Sequence, residues 1–146
     1  MTTATVEREA QSRLAADGVR FTKGRRAVVT ALAAANGPRT VAELSDALGP
    51  TVPLSSLYRT LVVLEEAGVA VPHYGTRGVT RYELAEWATG HHHHLVCVDC
   101  GSVADLEIPP SLEQRVEGIV TELAHAQGFE ATGHALEIEG RCGSCP

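Results

Sequence analysis

The chain has 146 residues, of which 44% are hydrophobic and only 4% aromatic, and its formal net charge is −6. This length suits one ordinary domain or two small ones, and such a chain buries roughly 70% of its unfolded surface on folding. No apolar run approaches the roughly 20 residues that span a bilayer, and the N-terminal stretch lacks the apolar segment of a signal peptide. We therefore expect a cytoplasmic protein with no membrane partner, whose reduced cysteines are metal ligands rather than disulfides.

The charge is unevenly distributed along the chain. Residues 1–85 contain ten Lys and Arg against eight Asp and Glu, a balance of +2, whereas residues 86–146 contain two against ten, a balance of −8. A basic half joined to an acidic half indicates two modules, of which the basic one could meet nucleic acid.

The first half is predicted to contain three helices followed by a β-hairpin. Apolar residues recur at helical spacing behind three capping residues: Thr22 before 24–35, Thr40 before 41–48 and Ser55 before 56–67. Two extended runs, 69–74 and 79–84, are joined by the Gly-Thr-Arg-Gly turn 75–78. This order is typical of a winged helix-turn-helix domain with its third helix in the recognition position.

The second half is predicted to be a small α/β module. After a link at 85–90, the pattern gives strands at 94–98 and 103–108, a helix at 111–127 and a strand at 134–140. The fold class is therefore α+β. We divide the chain into a winged-helix domain (1–84), a hinge (85–90) and a metal-binding module (91–146).

Four cysteines form the strongest motif. They are arranged as two Cys-x-x-Cys pairs, and four thiolates satisfy tetrahedral Zn²⁺: Cys97, Cys100, Cys142 and Cys145. Thioredoxin-like redox cysteines or free buried thiols would not explain two matching pairs. We predict a structural zinc site, with Gly101 and Gly143 supplying permissive backbone.

Four consecutive histidines, His91 to His94, precede the first cysteine pair. Side chains alternate along an extended strand, so His91 and His93 point to one side and His92 and His94 to the other. This alternation predicts two metal sites on opposite faces. The competing interpretation is a solvated polar loop, which leaves the proximity to the cysteines unexplained.

Other residues of the chain could complete the ligand set on each face of the histidine strand. For His91 and His93 we expect His134, taken to point inward from its strand, together with Glu117; Glu113, one helical turn earlier, is the rival. An unpaired carboxylate near the core would be costly, and a cation resolves that cost. For His92 and His94, the nearest candidate is Glu83, with His73 a weaker one. This second site would lie between the modules, where a bound metal would fix their relative orientation and could therefore act as a switch.

Two basic segments suit contact with double-stranded DNA. One lies at the start of the recognition helix, where Ser56, Tyr58 and Arg59 could reach base edges and phosphates. The other precedes the first long helix and contains Arg20, Lys23, Arg25 and Arg26. Solvated surface charge is the alternative, which the helix-turn-helix pattern makes less attractive.

These motifs resemble the ferric uptake regulator (Fur) family of metal-sensing bacterial repressors. The likeness covers nearly the whole chain after about residue 10 and rests on RFTKGRRAVVTAL, SSLYRTLVVLEEAG, RYEL, HHHHLVCVDCG and the final Cys-x-x-Cys. It implies a homodimer built on the C-terminal module, which closes on an A/T-rich inverted-repeat operator when metal fills its regulatory sites. It also implies a structural zinc on the four cysteines, one regulatory site of His91, His93, Glu117 and His134, and another of Glu83, His92 and His94.

Two departures from the family pattern concern the regulatory metal. Pro38 stands where the second site normally takes a histidine, and Ala85-Glu86 stands where zinc sensors of actinobacteria tend to carry a cysteine. The nitrogen and oxygen ligands suit Fe²⁺, Mn²⁺, Ni²⁺ or Zn²⁺, and affinity order alone does not select among them. A peroxide-sensing member of the same family is a further alternative.

Two other classes of protein compete with a repressor. A zinc hydrolase is disfavoured because neither cysteine pair has the upstream His-x-Glu of zinc deaminases, and four thiolates leave no open position on the metal. We therefore do not expect an enzyme. A metal-storage or chaperone protein would explain the histidines but not the SSLYRTL segment.

Overall fold

The structure, a computed structural model, describes residues 1–75 and 77–145. The helices are α1 Thr3–Ala16, α2 Lys23–Ala34, α3 Val41–Leu48, α4 Leu54–Glu66, α5 Glu86–Thr89 and α6 Pro110–Ala126, with a 3₁₀ turn at Gly49–Thr51. The strands are β1 Arg39–Thr40, β2 Ala70–Tyr74, β3 Thr80–Leu84, β4 His93–Cys97, β5 Val103–Leu106 and β6 Glu137–Gly140. The predicted α+β class is confirmed.

Side-chain caps fix the starts of two predicted helices. The Thr22 hydroxyl accepts a hydrogen bond from the Arg25 backbone N–H, and Thr40 forms a reciprocal capping box with Glu43. The predicted cap at Ser55 is wrong, because α4 begins at Leu54 after Pro53. Proline holds an extended backbone and has no N–H to satisfy, so the helix starts two residues earlier than predicted.

Two elements of the first half escaped the sequence analysis. Helix α1 buries three apolar residues at four-residue spacing, Val6, Ala10 and Leu14, between polar neighbours. It is tied to α2 by an ion pair of 2.6 Å between Glu7 Oε2 and Arg26 Nη1. The two-residue strand β1 pairs with β3 and extends the hairpin into a sheet of order β1-β3-β2.

Helices α1 to α4 and the β2–β3 hairpin enclose the apolar core of the chain, whose buried members lie between Val6 and Leu84. The predicted strands agree with β2 and β3 to within one residue. The predicted turn at 75–78 includes Thr76, which lies outside the described residues. The architecture is a winged helix-turn-helix, with α4 as its recognition helix and the hairpin as its wing.

The second half contains a mixed sheet of order β5-β4-β6. Strand β4 pairs antiparallel with β5 and parallel with β6, and α6 forms the crossover between those outer strands. The predicted strand 134–140 is shorter than expected, because β6 begins only at Glu137. His134 therefore precedes the strand, and strand alternation does not set its direction.

The predicted link contains the short helix α5, whose Trp87 and Ala88 pack against the N-terminal core. The Trp87 indole Nε1–H donates to the Gly68 carbonyl at 2.9 Å. The link is thus attached to the winged helix. Within the described residues, none of the helices has the length and apolar character needed to cross a membrane.

Candidate metal centres and nucleic-acid interface

The four cysteines converge at the end of the C-terminal sheet. Sγ–Sγ distances are 3.7 Å for Cys97–Cys145, 3.8 Å for Cys100–Cys142 and 3.4 Å for Cys142–Cys145. Tetrahedral zinc with Zn–S bonds of about 2.3 Å places its sulfurs roughly 3.8 Å apart. The four thiols therefore have the spacing of a zinc-thiolate centre.

Backbone geometry builds the two turns that present these thiols. The Gly101 N–H donates to the Cys97 carbonyl at 2.9 Å, with Gly101 at φ +73°, and the Cys145 N–H donates to the Cys142 carbonyl at 3.1 Å. Gly143 does not adopt a positive φ. Of the two glycines predicted to supply permissive backbone, only Gly101 therefore has a conformation that favours glycine.

The thiols differ in acidity because their surroundings differ. Backbone N–H groups of Cys100 and Cys142 lower the pKa of Cys97 to about 6, which favours its thiolate. Hydrogen bonds shared with Cys142 and Cys97 raise the pKa of Cys145 to about 12. Four thiolates this close repel one another, and a divalent cation is the species that stabilises them together.

A second group, the C-terminal cluster, contains His91, His93, Glu113 and His134, whose ligand atoms lie within 4.8 Å of one another. Glu113 is at its centre: Oε2 lies 2.9 Å from His93 Nε2, and Oε1 lies 2.8 Å from His134 Nε2 and 3.3 Å from His91 Nε2. His93 is only 1% exposed. Hydrogen bonding to His93 lowers the pKa of Glu113 and keeps it ionised.

The predicted ligand Glu117 is not part of this cluster, and Glu113 takes its place. Helix α6 begins at Pro110, which puts Glu113 in its first turn, next to the histidines. Glu117, one turn later, is exposed and lines a pocket together with His134, but its carboxylate is not among the atoms that converge in the cluster. Glu113 and Glu117 share a helix face. Which of the two carboxylates reaches the histidines therefore depends only on the position of the helix along the sheet.

A third group, the junction cluster, contains Glu83, His92, His94 and Asp105. Glu83 comes from the wing, and the other three come from the C-terminal half. Glu83 Oε2 lies 3.1 Å from His92 Nε2, and Oε1 lies 3.1 Å from His94 Nε2. Asp105 Oδ1 lies 3.6 and 3.7 Å from the same two ring nitrogens. The cluster therefore bridges the two halves of the chain.

Asp105 is not among the ligands predicted from the sequence, and the register of β4 and β5 brings it to the junction cluster. Asp105 on β5 is directly opposite His94 on β4 in the antiparallel register. Pro38 is fully buried and offers no ligand atom, and its neighbour Gly37 packs against β5, where an added Cβ would meet the Val103 carbonyl oxygen at 3.3 Å. Asp105 thus gives the junction cluster a fourth ligand-type side chain without a histidine at position 38.

His73, the weaker candidate, touches the junction cluster from the wing. Its Nε2 lies 2.6 Å from Glu83 Oε1, and its ring packs against the His94 ring at 4.3 Å between centroids. Burial would raise the pKa of Glu83, but the hydrogen bond from His73 and the charge of the nearby His73 and His94 outweigh it and hold the pKa at about 2. Glu83 is therefore a buried carboxylate anion surrounded by imidazoles.

Both histidine clusters have the atomic arrangement of cation sites. Among the described residues, His94 Nε2 and Glu113 Oε1 are buried without a hydrogen-bond partner, although each lies within about 3 Å of an opposing ligand atom. In the C-terminal cluster, His91 Nε2 and His134 Nε2 face each other at 3.3 Å. Atoms this close that do not satisfy one another's hydrogen bonds converge on a common point, which suits a bound cation.

The residues predicted to contact DNA lie at the surface of the winged helix. On α4, Tyr58 is 54% exposed, Arg59 is exposed and Ser56 is half-buried. Arg20 and Lys23 are exposed at the start of α2, where the Arg25 guanidinium donates to the Arg20 carbonyl at 2.6 Å. The neighbouring Arg26 is engaged with Glu7. Basic and aromatic side chains of α2 and α4 are thus available to a polyanion.

The fold and the site together define a two-module protein, in which a winged-helix module is joined to a sheet module through a cluster of candidate metal ligands. Comparisons with known proteins narrow this description. The family model described as the ferric uptake regulator family matches residues 16–139. The chain belongs to the ferric uptake regulator family.

Particular relatives are similar over much of the chain. The ferric uptake regulation protein of Vibrio cholerae is 37% identical over 98 residues, which cover 66% of this chain and 60% of that protein. The chain thus aligns with about three-fifths of the length of that relative. The ferric uptake regulator of Pseudomonas aeruginosa with manganese is 29% identical, with a TM-score of 0.69 over 91% of this chain and 97% of that one.

A second similar structure is a zinc uptake regulator complexed with zinc and DNA. It is 25% identical, with a TM-score of 0.59 over 99% of this chain and 95% of that one.

Proposed function

We propose that this chain is a metal-dependent DNA-binding transcriptional repressor of metal homeostasis genes. The single observation that carries the proposal is the junction cluster, which joins Glu83 of the wing to His92, His94 and Asp105 of the C-terminal half. Those four side chains converge only while the wing and the sheet hold this relative position. Metal affinity and the orientation of the recognition helix are therefore linked, and each must bias the other.

The three clusters have different parts in this proposal. Cys97, Cys100, Cys142 and Cys145 would hold a structural zinc, because four thiolates complete a closed tetrahedral shell. The C-terminal and junction clusters would hold the regulatory metal, which supplies the positive charge that their crowded anionic and imidazole ligands lack. Nitrogen and oxygen ligands suit Fe²⁺, our first choice, and also Zn²⁺, Mn²⁺ or Ni²⁺.

The DNA partner follows from the exposed surface of the winged helix. We propose that α4 enters the major groove of an A/T-rich inverted repeat, with Tyr58 and Arg59 at the bases and Ser56 beside them. Arg20, Lys23 and Arg25 then contact the phosphate backbone. The similar zinc uptake regulator in complex with DNA supports this assignment.

We further propose a homodimer built on the C-terminal half. Helix α6 exposes an apolar face in the single chain: Leu112 is 43%, Ile119 57% and Leu123 64% exposed. A second copy of the chain would cover this face, and two copies would match an operator with two half-sites.

The same proposal includes the domain organisation, the location and the absence of catalysis. We propose a winged-helix domain at 1–84, a hinge at 85–90 and a metal-binding dimerisation domain at 91–146, in a cytoplasmic protein that is not an enzyme.

The decisive experiment measures binding to A/T-rich inverted-repeat DNA at fixed salt, with each of Fe²⁺, Mn²⁺, Ni²⁺ and Zn²⁺ added in turn to the zinc-loaded protein. We expect one metal to raise operator affinity 10- to 100-fold. A protein that binds these metals but whose DNA affinity responds to none of them would be a storage or chaperone protein instead.

A further inference from the structure

The outer nitrogen of His91 is engaged by a residue outside every cluster described above. His91 directs Nε2 towards Glu113 and His134, while its Nδ1 lies 2.9 Å from Glu86 Oε1 on α5. An ionised carboxylate only accepts hydrogen bonds, so Nδ1 must be the donor in this contact. The contact therefore fixes the tautomer in which Nε2 is free to act as a ligand.

Neighbouring histidines show that this arrangement is particular to His91. The Nδ1 of His92 is held by the Gly90 carbonyl at 2.9 Å, whereas the buried Nδ1 of His93 has no hydrogen-bond partner among the described residues. A carboxylate behind an imidazole raises the basicity of the ligand nitrogen and restrains the ring more strongly than a neutral carbonyl does. Glu86 is thus placed to tune the C-terminal cluster.

The next residue connects α5 to the DNA-binding half. The Trp87 indole donates to the Gly68 carbonyl at 2.9 Å, and the Arg13 guanidinium lies 4.9 Å from the centre of its ring. Gly68, at φ +66°, ends the turn that follows recognition helix α4. Adjacent residues of one four-residue helix therefore contact a ligand of the C-terminal cluster and the end of the recognition helix.

We propose that Glu86 is a positioning residue for His91, and that Glu86 and Trp87 make α5 the link between the C-terminal cluster and the recognition helix. The inference rests on the proposed regulatory role of that cluster. Restraint of His91 by Glu86 restrains α5, and α5 holds the end of α4 through Trp87. By reciprocity, operator DNA that favours this position of α4 also tightens metal binding at the C-terminal cluster.

The test uses the zinc-loaded full chain carrying His94→Ala, which disables the junction cluster, and titrates it with Mn²⁺ by calorimetry. We expect Glu86→Ala to weaken Mn²⁺ binding 10- to 100-fold, the usual effect of losing a partner behind a ligand histidine. Glu86→Gln keeps an acceptor for His91 Nδ1 and should restore part of the loss. Glu137→Ala is the matched control, since it removes an equal charge from an exposed position on the same cleft.

Fluorescence supplies a second readout, because Trp87 is the single tryptophan of the chain. We expect Mn²⁺ to change its emission in the parent protein and Glu86→Ala to move that change to higher metal concentration. Trp87→Phe should leave Mn²⁺ affinity within about threefold but reduce the metal-dependent gain in operator binding in the chain with an intact junction cluster.

The outcomes separate this inference from the proposed function. If the parent binds Mn²⁺ and Glu86→Ala binds it as tightly as Glu137→Ala does, the positioning role of Glu86 is wrong while the regulatory cluster stands. If Trp87→Phe retains the full metal-dependent gain, the link through α5 is wrong. If the parent binds no Mn²⁺ at the C-terminal cluster, the regulatory assignment of that cluster and this inference both fail.

Discussion

The two halves of this chain fill their interiors with different kinds of side chain. Between Val6 and Leu84, aliphatic residues from four helices and a hairpin form a continuous buried core. Among the residues that the structure describes after Leu84, those that are buried are His93, His94, Val96 and Cys97, and helix α6 buries none. The first half is therefore held together by apolar burial, whereas the second half buries little apolar surface, and we expect bound ions and a partner for its exposed helix face to stabilise it.

In the proposed repressor, this difference would allow one fold to serve as a metal-dependent switch. A core of close-packed aliphatic side chains has one good arrangement, so the recognition helix moves with its module as a rigid unit. A module held by ligand clusters changes its stability and orientation with metal concentration, because binding free energy adds directly to folding free energy. Glu83 lies at the boundary, on a wing strand of the rigid half but in a cluster of the responsive half.

The largest effect is expected from loss of the cysteine centre. Cys97→Ser should abolish the tightly bound zinc of about one per chain, because three thiolates and a hydroxyl no longer complete the shell. Hydrogen exchange should then become fast in β4 to β6 while α2 and α4 stay protected. Ser144→Ala, at an exposed position between Cys142 and Cys145, is the control and should keep its zinc. Zinc content that survives Cys97→Ser would show that the cysteines do not hold the metal.

A smaller effect on stability is expected from leucine-to-alanine changes, which should act differently in the aliphatic core and on the exposed face of α6. Leu61→Ala removes a side chain that is 1% exposed and should cost roughly 2–5 kcal/mol of unfolding free energy at any protein concentration. Leu123→Ala, the same substitution at a residue 64% exposed, should instead weaken the homodimer. Urea unfolding and sedimentation at several concentrations measure both. A dimer unaffected by Leu123→Ala would place the subunit interface elsewhere.

The DNA-binding half should respond to a change that leaves all clusters intact. Arg59→Ala on α4 should cost roughly 1–3 kcal/mol of specific operator binding. Arg20→Ala should weaken binding evenly across sequences and reduce its salt dependence, as expected of a phosphate contact. Binding to operator and scrambled DNA over a range of salt distinguishes them. Equal losses on both DNAs for Arg59→Ala would make it a phosphate contact instead of a base reader.

Local rules were sufficient for much of the fold and for the pairing of the histidines. The caps at Thr22 and Thr40 follow from short-range hydrogen bonding, and alternation along an extended strand assigns His91 and His93 to one cluster and His92 and His94 to the other. The cap at Ser55 failed because Pro53 set the helix start from outside the capping pattern. Helix α1 was missed because only three spaced apolar residues mark it.

Residues that required tertiary geometry were beyond those rules. Asp105 joins the junction cluster through strand register, which the sequence of β5 alone does not specify. Glu86 reaches His91 only because α5 folds back on the winged helix. Both contacts depend on where two elements meet, and neither leaves a periodic pattern in the chain.

The last prediction compares two carboxylates of α6 that lie one helical turn apart, and it concerns the metal-dependent gain in operator affinity. Glu113 contacts His91, His93 and His134, whereas Glu117 is exposed. Glu113→Gln should remove most of the metal-dependent gain in operator affinity. A 10- to 100-fold gain corresponds to roughly 1.4–2.7 kcal/mol of coupling, which overlaps only the lower end of the range of roughly 2–5 kcal/mol expected for the core cavity.

Glu117→Gln removes the same charge from the same helix face and should leave that gain unchanged within about twofold. Operator binding with and without metal, measured beside zinc content for both variants, makes the comparison. If Glu117→Gln proves the more damaging change, α6 lies one turn further along the sheet in the DNA-competent state than in this structure. Metal would then shift the helix as well as hold the ligands, and the responsive half would move internally instead of only reorienting against the rigid one.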